Sequence, residues 1–285
     1  MKRLKVQIRR QINLLIHLII KIKRDDVFAL SSQLAYYLIL SFFPFMIFLV
    51  TLIGFSPLSS VEVLENLNAL LPKSIVDLTK SIISEVVDSQ RTGLLGVSVL
   101  LMIWTSSSAF RAIIKGINKA YGLKESRSLI KRSIVSMIGI LALAIIIILA
   151  LSMLVFGNVI GSYVITRIPF YKIIIFIWNM FRYAFAFIVM IFIFAFIYMF
   201  APAKKLRLKE VIPGAVFSTI GWIVVSFAFS FYINNFSNYS RFYGSLGAVF
   251  ILMTWLFLVS MIFILGVEIN CVMAQIKQKN WSNEN

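Results

Sequence analysis

The chain of 285 residues contains one cysteine, one histidine and eleven acidic residues. A single cysteine, Cys271, excludes an internal disulfide. The lone histidine, His17, has no second ligand or base partner nearby in sequence and reads as a bystander. The chain has no glycine-rich phosphate loop, no zinc-ligand spacing and no nucleophile–base motif. These absences argue against an enzyme, a metal site and a cofactor site, and any transport would be passive, ion-coupled or driven by a partner. A metal-dependent nuclease needs clustered carboxylates or histidines. Here the acids on the expected cytoplasmic side are dispersed as Asp25, Asp26, Glu125, Glu210, Glu268 and Glu284. Asp25-Asp26 more simply complement the dipole of a following helix. A cleavable leader is also not expected. The apolar run Leu14–Ile20 is short, is followed at once by Lys21, Lys23 and Arg24, and lacks a small-residue cleavage site.

What is abundant is hydrocarbon. Hydrophobic residues make up 60% of the chain, charged residues 14%, and the mean hydropathy is +0.94. A soluble domain is roughly 45–50% apolar, so lipid is the implied solvent. The residues predict an all-α polytopic bundle with six spans: 33–55, 93–114, 134–156, 183–200, 212–234 and 246–271. Residues 1–275 form one membrane domain and 276–285 a polar cytoplasmic tail. Residues 1–28 are an interfacial cytoplasmic segment, in which Ile8, Ile12, Leu15, Ile19 and Ile22 recur at helical spacing over 7–24. Residues 57–92, divided by Pro72, are expected as an extracytoplasmic pair of amphipathic helices. Pro44 predicts a kink in the first span, with Ser41 available to the carbonyl of Leu40. Pro202 and Pro213-Gly214 are expected to stop and start helices at one cytoplasmic turn.

The net charge of +17 suggests nucleic acid only until its position is considered. Twenty of the 28 Lys and Arg fall in the N-terminal segment, the 115–132 and 204–209 loops and the tail. Six lie on the other side: Lys73, Lys80, Arg91, Arg167, Lys172 and Arg241. This asymmetry puts both termini in the cytoplasm and removes nucleic acid as a partner. The bilayer is the expected partner. No oligomeric state follows from these residues.

Few residues offer chemistry. Arg111 and Glu268 fall at similar expected depth near the inner boundary and suggest an ion pair, or a polar cluster with Asn118 and Asn270. Independent snorkelling is the plainer alternative. Ser106, Ser107 and Ser108 serve close packing, or line a hydrophilic cavity. Tyr243, Gly244 and Ala248 suit packing and an aromatic belt at the outer end of the last span. Arg182 depends on the fourth span, because the run Ile173–Phe200 is about 42 Å long as one helix. The preferred span starts at Tyr183, with 169–182 as an interfacial approach, which makes Arg182 an ordinary interfacial residue. A longer helix would make it a candidate contact for an anionic headgroup.

Four stretches carry a family resemblance: ALSSQLAYYLILSFFPF (29–45), WTSSSAFRAIIKGINKAYG (104–122), YMFAPAKKLRLKEVIPGA (198–215) and YGSLGAVFILMTWLFLVSMIFILGVEIN (243–270). In sequence, order and spacing the chain resembles the YihY/BrkB family of bacterial membrane proteins, some long labelled ribonuclease BN. The resemblance implies a six-span fold in the bacterial cytoplasmic membrane and supplies no catalytic residues. Roles suggested for the family include serum resistance and, for a relative, lipid export. The expected function is a transporter or lipid-handling protein for an amphiphilic or anionic substrate such as an anionic lipid. A non-catalytic scaffold in envelope assembly is the alternative.

Overall fold

A computed structural model describes residues 15–54, 92–143, 145–146, 171–236 and 245–284. Apart from the turns at 25–26, 121–128 and 201–207, the described residues are helical, with no strands among them. The helices are α1 (15–24), α2 (Val27–Gly54), α3 (Thr92–Ala120), α4 (129–143), α5 (Tyr171–Phe200), α6 (Leu208–Phe236) and α7 (Ser245–Glu284). Three contain stretches long and apolar enough to cross a membrane: Met180–Phe200, Leu208–Ile233 and Val249–Ile276. The expected amphipathic pair at 57–92 falls almost wholly outside the described residues, as do residues 147–156 of the expected third span and Tyr243-Gly244.

The helix ends follow local chemistry. Gly122, at φ 64°, ends α3 in the left-handed conformation that glycine adopts without strain. Leu123 N–H then reaches Asn118 C=O at 2.8 Å and Gly122 N–H reaches Lys119 C=O at 3.0 Å, the two bonds of a Schellman motif. At the start of α6, Glu210 accepts from Arg207 N–H at 2.9 Å while Glu210 N–H donates to Arg207 C=O. This reciprocal cap begins α6 before the proline. Pro213-Gly214 therefore lies inside α6, not at its start as expected, whereas Pro202 does follow the end of α5.

Three further features differ from expectation. First, α5 runs unbroken through Arg182, so 169–182 is not a separate approach over its described part. Second, α7 continues through the polar tail to Glu284, because polarity ends a span without ending a helix. Third, the Ser41 hydroxyl donates to Leu38 C=O at 2.9 Å, the ordinary back-bond one turn earlier, and not to Leu40.

Helix α7 is the centre of the bundle, packing on α2, α3 and α6, while α2 packs on α3 and α5 on α6. One apolar core joins Leu34, Phe110, Ile114, Ile117, Tyr198, Val211, Phe263 and Ile264. A second, earlier on α7, joins Ala35, Phe229, Leu252 and Trp255. Outward, Trp104, Phe227 and Tyr183 are 70% or more exposed. Water does not tolerate such a surface over a whole bundle, but lipid does.

The crossing of α6 and α7 depends on two glycines. A Cβ on Gly214 would collide with Gly266 C=O, and one on Gly266 would collide with Ser218 Oγ. Their absence lets the Tyr198 hydroxyl donate to Phe263 C=O at 2.7 Å and sit 2.8 Å from Ser218 Oγ.

Candidate functional site

The α1–α2 junction turns sharply at Asp26, whose φ of 52° is a conformation that aspartate tolerates better than most residues. The turn aims Lys21 and Asp25 into the bundle, where they are 4% and 5% exposed. Lys21 Nζ lies 2.9 Å from Asp25 Oδ2, 2.5 Å from Ala120 C=O and 2.9 Å from Glu268 Oε2. Lys21 therefore donates to Asp25 and to the Ala120 carbonyl and pairs by charge with Glu268. Ala120 C=O is one of the carbonyls a helix end leaves without a partner, and a cation there also suits the helix dipole. The same oxygen accepts from Cys271 Sγ at 3.2 Å, which joins α1, α3 and α7 at one point.

Burial alone would favour the neutral form of Lys21, but Asp25 and Glu268 hold its pKa above the ordinary lysine value. Burial would likewise raise Asp25, yet its bonds to Arg24 and Lys21 hold the carboxyl below the usual range. Sequence reasoning about chemistry passed over Lys21, Asp25 and Cys271. The only local signal was the four-residue spacing of Lys21 and Asp25, which faces one side chain to the other on a helical turn.

Of the predicted cluster, Glu268 is fully buried, and its cation is Lys21 from α1. Arg111 instead turns back along its own helix, donating to Ser107 Oγ at 2.8 Å and Ser108 Oγ at 2.6 Å. The two are not paired. Asn118 and Asn270 are both buried but bind separately. Asn118 donates to Glu125 Oε2 and accepts from Ala203 N–H, joining the turn after α3 to the turn after α5. Glu125 also takes two bonds from the Arg127 guanidinium, which hold its carboxyl below the usual range despite partial burial. Asn270 accepts from Gly214 N–H at 2.6 Å and donates to Val211 C=O at 3.1 Å. That clip sits at the turn of α6 disturbed by Pro213.

Arg111 is half-buried, with no carboxylate partner among the described residues. It lies nine residues before the Ala120 end of α3, about 14 Å along the axis. Trp104, Ser108, Arg111 and Lys115 recur at one-face spacing on α3. Lys115 reaches Gln33 Oε1 on α2 at 3.1 Å, so this polar stripe runs beside α2. Ser107 is buried, whereas Ser106 and Ser108 are partly exposed. Arg182 is half-buried within α5, eleven residues after Tyr171. Among the described residues no group of three or more His, Cys, Asp or Glu side chains can hold a metal ion.

The sequence matches the virulence factor BrkB family over residues 18–285, and the chain belongs to that family. It is similar to YfkH of Bacillus subtilis (strain 168), a protein named as ribonuclease-like, at 38% identity over 255 residues. That match covers 90% of this chain and 92% of YfkH. It is also similar to a UPF0761 membrane protein of Xanthomonas campestris pv. campestris (strain B100), at 37% identity over 68 residues. There the match covers 24% of this chain and 16% of the relative. No solved structure matches.

Proposed function

We propose that this member of the BrkB family is a six-span protein of the bacterial cytoplasmic membrane that handles or transports an anionic amphiphile, with both termini cytoplasmic. Arg111 carries the reading. A guanidinium in the last turn of the expected second span, with Lys115 and Lys119 on the helix beyond it, is costly unless it pairs or faces a polar path. Its protein partners are two neutral hydroxyls, so its charge is available to an anion. The stripe Trp104–Ser108–Arg111–Lys115 offers an aromatic, a hydroxyl and two cations in succession, chemistry suited to a phosphate-bearing headgroup with its tail in lipid. Arg182, inside the continuous α5, is a second candidate contact for the headgroup.

A non-catalytic scaffold is the second reading, favoured by the filled apolar core around Phe110, Ile114, Ile117 and Ile264. Ribonuclease chemistry finds no support in the carboxylates. Asp25 and Glu268 share Lys21, Glu125 holds Arg127, and Glu210 caps α6. The test is lipid retention by the purified protein in mixed anionic and zwitterionic detergent micelles. Native mass spectrometry is expected to find bound anionic lipid on the wild type and about tenfold less on Arg111→Gln, as loss of a charged hydrogen bond requires. Equal retention by both would remove Arg111 from the site.

A further inference from the structure

Glu268 is a carboxylate whose surroundings give it a counter-charge but no hydrogen bond. It is fully buried on α7, flanked by the buried Ile264, Val267 and Val272. Oε2 faces Lys21 Nζ at 2.9 Å as an ion pair, and neither Oε2 nor Oε1 has a hydrogen-bond partner. A dry carboxylate so placed is costly with one cation and more so with none. That cation is shared, because Lys21 also serves Asp25 and Ala120 C=O. The titratable groups facing Glu268 are Lys21, Arg24 and Asp25 from α1, Tyr121 just past α3, and Cys271 on α7 itself. With Lys21 and Arg24 positive and Asp25 and Glu268 negative, the cluster is neutral. A proton on Glu268 would leave it one charge positive. Lys21 and a proton are therefore competing ligands of one carboxylate.

We propose that Glu268 is a proton-binding site, and that proton uptake there releases Lys21, and with it α1, from α7 and the end of α3. An O–H bond forms at the unpartnered Oε1, with the proton delivered from water, and no electrons move between groups. The route is short. Asp25 contacts Arg24, whose side chain is 64% exposed, and Lys23, Asp26 and Lys119 form an exposed charged rim beside it. Glu268 stays within the bundle as α1 leaves, so losing Lys21 strengthens its hold on the proton. By linkage, the proton weakens the hold of Lys21 by the same factor.

Release of α1 withdraws Lys21 from Ala120 C=O and uncovers Cys271, the chain's only cysteine and a built-in reporter. The experiment uses the full chain in zwitterionic liposomes. A small maleimide modifies Cys271 at neutral and at mildly acid pH. Each rate is divided by that of the detergent-unfolded chain at the same pH, which removes the thiol's own titration. The normalised wild-type rate is expected to be low at neutral pH and to rise about tenfold in acid, a typical size for coupling between two ligands. Glu268→Gln, a neutral group of the same shape, should be fast at both pH values, and Asp25→Asn should keep the rise. A flat wild-type profile, or an acid rise retained in Glu268→Gln, overturns the proposal. Should that variant fail to assemble, Lys21→Gln decides, since it removes the competing cation. Fast and flat modification supports the proposal, and a retained acid rise overturns it.

Discussion

At the scale of single residues, the side chains that bind helix to helix are polar and their partners are distant in sequence. Lys21 meets Glu268 and Ala120, Asn118 meets Ala203, and Asn270 meets Gly214. Sequence spacing exposes neighbours on one helix, so it singled out Glu268, Asn118 and Asn270 as unusual without supplying their partners. It offers Arg111 as a partner for Glu268, beside independent snorkelling, because depth along a helix can be counted but azimuth between helices cannot. Glu125 gives the cleanest test at this scale. Its lowered pKa means that the folded state holds its proton less tightly than the unfolded chain does. Its stabilisation is therefore complete above its ordinary value of 4.5 and is lost as pH falls through the depressed value. Glu125→Gln is expected to cost about 2 kcal/mol near neutral pH. The gap to wild type should close under acid conditions below that range, as read by thermal melting in detergent at a series of pH values.

At the scale of elements, apolar runs revealed three helices long and apolar enough to cross a membrane but misjudged helix ends. Hydropathy reports where lipid begins, whereas a helix continues until its cap. Thus α2 starts at Val27, before the apolar run at 33–55, and α7 outlasts its span. The reciprocal Arg207–Glu210 cap likewise takes precedence over Pro213-Gly214 as the start of α6. Gly214 then has a different function, the close approach of α6 to α7, which no local pattern could disclose. Gly214→Ala would drive a methyl group into the Gly266 carbonyl and the Asn270 amide. Backbone cannot yield as a side-chain tip does, so the expected cost is about 3 kcal/mol, at the upper end for overpacking. Thermal unfolding in detergent should fall accordingly, and an unchanged midpoint would mean that the crossing is looser than these contacts require.

At the scale of the whole molecule, composition made the solvent legible and charge asymmetry suggested the orientation. Neither could say which side chains face a path for substrate. Among the described residues, the apolar exterior, the central α7 and the polar stripe on α3 together describe a bundle with a filled core and a charged, partly exposed flank. On this account the anionic headgroup travels along that flank while its chains stay in lipid, and Arg111 is the cation of the stripe furthest from the end of α3. The most direct measurement is transbilayer movement of a fluorescent anionic lipid in liposomes containing the purified protein. The wild type is expected to accelerate movement over protein-free liposomes, and Arg111→Gln, folded by the same melting criterion, to return the rate close to the protein-free value. Wild-type protein that leaves the rate unchanged, or an Arg111→Gln variant that moves the lipid as fast as wild type, would contradict the account.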